Sequence, residues 1–161
     1  MGKMPSIGVN GQYISESLAI IDYLERLQPS PSMVPADPFA AAKAVELACH
    51  IKLNVELVAR RCLPEALFNT PVSDETKAST ERDLDRGMQA VGQLMVCSPY
   101  AAGDTFSIAD LYTYYSFGLA STIGKKMFNK DILADYPQIA GLIEHLAERP
   151  SIKRVTIEAS S

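Results

Sequence analysis

An uncharged run from Leu111 to Ile123 constrains the fold of this chain more than any other stretch. Just before it, Ser107 and Asp110 have the spacing of a capping box. In that motif the Ser107 hydroxyl accepts from the Asp110 amide, and the Asp110 carboxylate accepts from the Ser107 amide. A helix without a charged face is usually buried on most sides. The sequence therefore predicts one central, buried helix that begins after Ser107 and ends at Gly124.

The end of this helix is predicted from three consecutive residues. Gly124 suits the left-handed conformation that commonly follows a helix, and Lys125 and Lys126 suit the negative end of the helix dipole. Small residues within the helix, such as Gly118, are expected to let neighbouring helices approach closely. We therefore expect the central helix to lie inside a helical bundle.

Composition excludes several classes of protein. The chain has 161 residues, of which 47% are hydrophobic, so we expect one domain or one domain with an appendage. The net charge of -4 and the lack of a basic run argue against nucleic acid as a partner. No stretch is apolar over the length of a membrane span and no signal peptide opens the chain, so we expect no membrane partner. The two histidines lie far apart, and no metal site is predicted.

The cysteines indicate the compartment. Cys49, Cys62 and Cys97 make an odd number and form no C-x-x-C pair. That pattern fits a reducing compartment better than a disulfide framework. We therefore expect a cytoplasmic protein whose cysteines are core or helix-end residues, as free cysteine most often is.

The chain begins with a predicted β-hairpin. Residues 5–9 and 12–15 have the pattern of two short strands, and Asn10-Gly11 between them is the strongest two-residue hairpin signal. Such a hairpin is only marginally stable alone in water. We therefore expect it to pack against the segment that follows.

That segment, residues 16–27, is predicted to be a helix because its apolar residues recur at helical spacing. Ser15 or Ser17 is the expected N-cap. The proline-rich segment 29–35 stops the helix and is the clearest linker in the chain. The apolar positions of the helix are Ile20, Tyr23, Leu24 and Leu27.

A long helix is predicted after the linker. It begins at Asp37, which serves as its cap before a proline in the first turn, and continues to about Val58. Segment 60–72 contains Pro64 and Pro71 and is predicted to be irregular.

The remaining elements are predicted on the same grounds. A second long helix begins after the cap Ser73, and its apolar stripe is Leu84, Met88, Val91, Leu94 and Met95. Beyond the central helix, we expect a short turn at 131–134, a helix over 136–149 and a last short helical turn at 151–155.

Five motifs, in order along the chain, make it resemble a cytosolic glutathione transferase. They are the Gly2-Lys3-Met4-Pro5 loop with Pro5 at the family's cis-proline position, the Glu16-Ser17-Leu18-Ala19-Ile20 helix start, the Val34-Pro35-Ala36-Asp37-Pro38 linker, the Phe106-Ser107-Ile108-Ala109-Asp110 capping box, and the C-terminal helices from Tyr136-Pro137 to Arg149-Pro150-Ser151-Ile152. The resemblance implies a mainly α fold, in which an all-helical glutathione-transferase C-terminal bundle follows a partial thioredoxin-like hairpin and helix. The implied organisation is a partial thioredoxin-like, glutathione-binding domain at 1–29, a linker at 30–36 and an all-α C-terminal domain at 37–161.

The resemblance also implies a glutathione site. In the family, the residue before the cis-proline pairs its backbone with the cysteinyl part of glutathione, and here that residue is Met4. Glu16 would meet the γ-glutamyl ammonium, and the hydroxyl and amide of Ser17 would meet the γ-glutamyl carboxylate at a helix N-terminus. In some classes a lysine meets the glycyl carboxylate, and here it would be Lys3. Without the resemblance, Ser17 is an ordinary N-cap and Glu16 a solvated surface residue.

The sequence departs from the family at its start. The family's first strand, first helix and second strand have no counterpart, nor does its thiol-activating Tyr, Ser or Cys. Thiolate activation needs a donor beside the sulfur, so no catalytic residue is predicted, and we expect weak catalysis or none from the chain as written. Residues of the helix over 43–61 and of the first turns of the central helix, including Tyr112 and Tyr115, are candidates for lining the second-substrate pocket. For the two tyrosines, core packing with a hydrogen-bonded hydroxyl is the favoured interpretation. Two explanations of the missing first elements stay open. The chain is a genuinely short product, or it is part of a longer enzyme.

The implied function is that of a glutathione S-transferase-like protein, which in its complete form reacts glutathione, as co-substrate, with a small hydrophobic electrophile. A homodimer is expected, formed through the free edge of the first strand or through the family's dimer surface. The alternative is a non-catalytic helical interaction or scaffold module, because a fold alone does not decide function. The Glu16-Ser17 pair favours the enzyme lineage.

Overall fold

A computed structural model describes residues 4–159 of the chain. The chain divides into two compact units at the junction between Met33 and Val34. The first unit contains a hairpin and one helix, and the elements of the second unit are all helical over the described residues.

The hairpin of the first unit is built from two strands of equal length. β1 (Ser6–Val9) and β2 (Gln12–Ser15) pair antiparallel, in a register that sets the first residue of β1 opposite the last residue of β2. Asn10 and Gly11 join them with φ angles of 49° and 80°. Positive φ at both central residues is the requirement of a type I′ turn, so the predicted hairpin is confirmed.

The helix of the first unit, α1 (Ser17–Leu27), follows β2 directly. The predicted cap is wrong, because the N-cap position is Glu16 and no side chain caps this helix within the described chain. Ser17 is already helical and Ser15 still belongs to β2, so neither hydroxyl lies where a cap must lie. The apolar face is also less buried than its pattern indicates, since Leu24 and Leu27 are 48% and 62% exposed.

The second unit is a bundle of helices. Residues 38–68 are helical without a break, because a π segment (Lys52–Glu56) and a 3₁₀ turn (Arg60–Cys62) connect the α-helices. The α-helices of this unit are α2 (Pro38–Ile51), α3 (Leu57–Ala59), α4 (Leu63–Phe68), α5 (Asp74–Leu94), α6 (Ile108–Phe128), α7 (Pro137–Ala147) and α8 (Pro150–Ala159).

The irregular segment predicted at 60–72 is therefore mostly helical. Pro64 is tolerated because it lies in the first turn of α4, where a backbone amide needs no partner within the helix. Asn69, with a left-handed φ of 53°, ends α4. The last helix is also longer than predicted, since α8 has ten residues and not one short turn.

Three predicted caps are confirmed. Asp37 Oδ2 accepts from the Ala40 amide at 2.8 Å, and Ser73 Oγ accepts from the Thr76 amide at 3.2 Å. Ser107 caps α6 within the predicted capping box. Each cap satisfies backbone donors that the first helical turn leaves without partners.

α6 is the central helix of the bundle, as predicted. It contacts α2, the π segment, α4 and α7, and much of its length is buried. Its predicted end is wrong, because the helix continues past Gly124 to Phe128 and the left-handed residue is Asn129, with a φ of 51°. Gly124 instead lies against the turn that follows, where a Cβ atom would come within 2.8 Å of Ile132 Cγ2.

Candidate glutathione site and comparison with known proteins

The start of α1 has the features of an anion site. Glu16 precedes the helix with a φ of 74°, a conformation that non-glycine residues rarely adopt and that is often found at functional sites. The first intrahelical bond is donated by the Ile20 amide to the Glu16 carbonyl at 3.0 Å. The amides of Ser17, Leu18 and Ala19 therefore precede the hydrogen-bond ladder. No acidic side chain lies in this first turn, so the positive end of the helix dipole is available to a bound carboxylate.

The hairpin register places Met4, another residue of the predicted glutathione site, at the same end of the first unit as the start of α1. Ser6 pairs with Ser15, so the residues before β1 and those after β2 lie side by side. Met4 lies two residues before β1, is 93% exposed, and is joined to Pro5 by a cis peptide bond. Glu16 follows the same end of β2. The fourth predicted residue, Lys3, lies outside the described residues.

A cluster of hydrogen-bonded polar side chains lies in the helical unit, around Glu56. Glu56 Oε2 accepts from Ser116 Oγ at 2.6 Å, and Glu56 Oε1 accepts from Arg60 Nε at 2.7 Å. The pairing of Glu56 with Ser116 has no signal in the sequence, because the two residues lie far apart in the chain and on different helices. Their hydrogen bond ties the π segment to α6.

The two candidate tyrosines of α6 have different surroundings. Tyr112 is buried, as a core residue would be, whereas Tyr115 is 46% exposed. Tyr115 packs edge-on against Tyr114, with ring centroids 5.1 Å apart. Partial burial raises the pKa of the Tyr115 hydroxyl, and Tyr114 adds to this effect. Tyr115 therefore stays protonated at neutral pH and can act as a hydrogen-bond donor.

The cysteines are free thiols. Cys62 is fully buried, while Cys49 and Cys97 are half-buried. Burial, and secondarily the nearby Asp110 carboxylate, raises the pKa of the Cys97 thiol to about 11. Because the thiolate is the reactive form, Cys97 is a poor nucleophile at neutral pH.

Two structural features are absent from residues 4–159. Within that range, no group of three or more His, Cys, Asp or Glu side chains is placed to hold a metal ion. None of the described helices has the length and apolar character needed to cross a membrane.

Comparison with known proteins identifies the class to which this fold belongs. Residues 65–155 match the family profile described as "Glutathione S-transferase, C-terminal domain". A maleylacetoacetate isomerase from Anaeromyxobacter dehalogenans, solved with glutathione bound in its active site, superposes with a TM-score of 0.75 at 21% identity, over 95% of this chain and 70% of that one. The fold is therefore a glutathione-transferase fold, in which a helical domain follows a partial thioredoxin-like hairpin and helix.

Sequence relatives give the family. The chain is 36% identical over 154 residues to a glutathione S-transferase from Pseudomonas putida, a match that covers 96% of this chain and 70% of the relative. It is 30% identical over 155 residues to a protein named probable maleylacetoacetate isomerase 1 from Drosophila melanogaster, a match that covers 92% of this chain and 57% of the relative. This chain belongs to the glutathione S-transferase family. It spans a little over half to about two thirds of the length of these relatives.

Proposed function

We propose that this chain is a glutathione S-transferase-like protein that binds glutathione as co-substrate at the start of α1. The observation that carries this proposal is the 36% identity to the Pseudomonas putida glutathione S-transferase over nearly the whole chain. In this proposal, residues 1–29 are a partial thioredoxin-like, glutathione-binding domain, residues 30–36 are a linker, and residues 37–161 are the all-α C-terminal domain.

The geometry at the start of α1 supports this assignment of residues. The uncapped amides and the Ser17 hydroxyl would bind the γ-glutamyl carboxylate, and Glu16 would bind the γ-glutamyl ammonium. The Met4 backbone would pair with the cysteinyl segment as a short added strand. Lys3 would bind the glycyl carboxylate. We assign no catalytic side chain in this chain.

The second substrate is proposed to be a small hydrophobic electrophile. Several relatives bear names of maleylacetoacetate or maleylpyruvate isomerases, among them proteins of Drosophila melanogaster and Ralstonia. An unsaturated acid of the maleyl type is therefore the electrophile to test first. NMR titration of such an acid in the presence of glutathione should give saturable changes in its alkene-proton signals when the protein is added, because binding does not require a catalytic side chain. Alkene-proton signals that the protein leaves unchanged would count against the proposal.

We also propose a cytoplasmic homodimer. Free thiols support a reducing compartment, and exposed apolar residues on α1 and the two strand edges of the hairpin offer surfaces for self-association. Sedimentation equilibrium should give twice the 17.5 kDa chain mass. A mass of one chain at tens of micromolar protein would contradict the dimer.

The glutathione site is tested by titration of ¹⁵N-labelled protein with glutathione. The largest shift changes are expected at the amides of residues 17–19, because these donors would meet the carboxylate. Ser17→Ala and Glu16→Gln should each weaken binding by about ten- to hundredfold, the effect of one hydrogen bond to a charged group.

The matched controls lie far along the chain. Ser151 and Glu144 are exposed side chains on α8 and α7, so Ser151→Ala and Glu144→Gln make the same chemical changes elsewhere. Both controls should bind glutathione as the unmodified protein does. Equal affinity of Ser17→Ala and Ser151→Ala would remove Ser17 from the site.

A further inference from the structure

The tip of the hairpin carries the single Asn-Gly pair of the sequence, Asn10-Gly11, to which the proposed function gives no role. In such a pair the backbone nitrogen of the second residue can attack the side-chain carbonyl carbon of the asparagine. Glycine favours this reaction because it has no side chain to hinder the attack. Both residues are exposed, so water reaches the turn. The pair therefore has the chemistry of a spontaneous modification site.

Three exposed asparagines of the described chain share a left-handed backbone, with φ angles of 49° at Asn10, 53° at Asn69 and 51° at Asn129. Glycine follows the first of them, whereas Thr70 and Lys130 follow the other two. Exposure and φ therefore do not distinguish these sites. The residue that follows each asparagine does.

The backbone amide that would attack has different partners at the three sites. The Thr70 amide donates to the Pro64 carbonyl at 3.0 Å, and the Lys130 amide donates to the Gly124 carbonyl at 3.2 Å. In the described part of the chain, no backbone carbonyl accepts from the Gly11 amide. The Gly11 nitrogen therefore has no such hydrogen bond to break before it becomes a nucleophile, and the other two nitrogens do.

The surroundings of the turn offer little resistance to its opening. β1 and β2 have four residues each, and a two-stranded hairpin is only marginally stable in water. Apart from its chain neighbours, no heavy atom of the described residues lies within 4 Å of a Cβ atom built on Gly11. The backbone at Asn10 can therefore rotate until its side-chain carbonyl carbon meets the Gly11 nitrogen.

We propose that the Asn10-Gly11 turn is a site of spontaneous deamidation. A base from solvent removes the Gly11 amide proton, the nitrogen forms a bond to Asn10 Cγ, and the side-chain nitrogen leaves as ammonia. The product is a cyclic imide. Water then opens the imide at Cγ, which gives aspartate, or at the main-chain carbonyl carbon, which gives isoaspartate. The modification goes beyond the proposed function, since it does not require that glutathione bind.

The two products differ in their effect on the hairpin. In isoaspartate the main chain runs through Cβ and Cγ, which lengthens the backbone between Val9 and Gln12, the pair that closes the turn. A type I′ turn needs two ordinary residues with positive φ at this place. Isoaspartate therefore weakens the pairing of β1 with β2. Aspartate tolerates the left-handed conformation, so it keeps the turn and adds only a negative charge.

Mass spectrometry of the full chain, incubated at mildly alkaline pH, tests the proposal. Peptide mapping should show conversion of Asn10 to the acid faster than conversion of Asn69 or Asn129 by about tenfold or more, a barrier lower by about 1.4 kcal/mol. The rate should rise with pH, because the nucleophile is the deprotonated amide. Methyl transfer to the chain by a protein isoaspartate methyltransferase should increase during the incubation. Equal conversion at the three asparagines, or no conversion at Asn10, would overturn the proposal.

Two glycine variants form a matched pair. Asn10→Gly should fold, because Gly-Gly also suits a type I′ turn, and it should abolish methyl transfer to the incubated chain. Asn69→Gly removes another exposed, left-handed asparagine at a helix end, where glycine is also preferred. This control should be methylated as the unmodified protein is. Equal methylation of Asn10→Gly and Asn69→Gly would remove Asn10 from the site.

A further variant separates the sequence of the pair from its structure. Thr70→Gly creates a second Asn-Gly pair, whose glycine amide should still donate to the Pro64 carbonyl. Conversion of Asn69 in this variant should be slower than that of Asn10 by about two- to tenfold, the effect of one neutral hydrogen bond. Equal rates at the two pairs would overturn the role given to the Gly11 amide.

Hydrogen exchange measures the effect on the hairpin. The converted chain has an added negative charge and can be separated by ion exchange. Its isoaspartate form should exchange the amides of β1 and β2 faster than Asn10→Asp, which has the same added charge and an ordinary backbone. Exchange in α6 should be the same in both proteins. Equal exchange in the strands would contradict the weakened pairing.

Discussion

Asp110 connects the start of α6 to the segment before it. Asp110 Oδ2 accepts from the Ser107 amide at 2.8 Å, and Asp110 Oδ1 accepts from the Ala101 amide at 2.8 Å. The side chain is fully buried. Burial raises the pKa of Asp110 above its ordinary value of 3.8, and the hydrogen bonds from Ala101 and Ser107 offset part of that rise. One residue therefore caps the central helix and fixes the preceding loop.

Asp110→Asn should lower the free energy of unfolding by about 1–3 kcal/mol at neutral pH, because asparagine has one acceptor oxygen where the carboxylate uses two. Urea unfolding of both proteins between about pH 4 and pH 7 measures this change.

The direction of the shift in the Asp110 pKa predicts how the stability difference between the unmodified protein and Asp110→Asn changes with pH. A pKa that is raised in the folded state means that folding favours the protonated carboxyl. The stability that this preference contributes is fully present below the ordinary aspartate pKa. It is lost as the pH rises through the pKa that Asp110 has in the folded protein. The stability difference between the unmodified protein and Asp110→Asn should therefore shrink as the pH rises. A difference that grows with pH would contradict the direction of the shift.

At this scale the sequence predicted one of the two contacts of Asp110. The bond to Ser107 follows from a spacing of three residues in a known motif. The bond to Ala101 could not be predicted, because it depends on how an irregular segment folds back. The positive φ of Glu16 could not be predicted for a similar reason, since nothing in its side chain requires that conformation.

At the scale of one element, two glycines of α6 have opposite surroundings. Gly124 is buried, and a Cβ atom there would lie 2.8 Å from Ile132 Cγ2 and 3.3 Å from the Lys130 carbonyl oxygen. A Cβ atom placed on Gly118 would have no neighbouring heavy atom of the described chain within 4 Å. The interpretation of Gly118 as a site of close helix contact is therefore wrong. The close contact of α6 at Gly124 is with the turn that follows the helix and not with another helix.

Gly124→Ala and Gly118→Ala should change stability in opposite directions. Gly124→Ala should lower the free energy of unfolding by about 1–3 kcal/mol, the range for overpacking a close contact. Gly118→Ala should raise it by about 0.5–1 kcal/mol, because alanine is the better helix former and meets no neighbour. Urea unfolding of the pair measures both, and a loss of stability in Gly118→Ala would show that a neighbour contacts that position.

Elements with strong local signals were predicted best. Asp37, Ser73 and Ser107 mark helix starts because each offers an oxygen to a free backbone amide. The helical structure of 60–68 was not predicted because proline usually breaks a helix, although its position in the first turn of α4 makes it harmless. The π segment was not predicted from the sequence. In the structure its Asn54 carbonyl lies against Gly87 of α5, a contact between residues that are distant in the chain.

At the scale of the whole molecule, fold and family were predictable because five short motifs occur in order along the chain. The relation between Met4 and the Glu16-Ser17 pair was not predictable from either motif alone. It follows from the hairpin register, which places the start of β1 beside the end of β2.

The central claim is that glutathione binds at the start of α1, and intermolecular nuclear Overhauser effects test it most directly. With ¹³C,¹⁵N-labelled protein and unlabelled glutathione, we expect contacts from the γ-glutamyl protons to the amides of Ser17 and Leu18. We also expect contacts from the cysteinyl protons to Met4. Contacts confined to the helical unit, or no binding by a protein that is shown to be folded, would contradict the account.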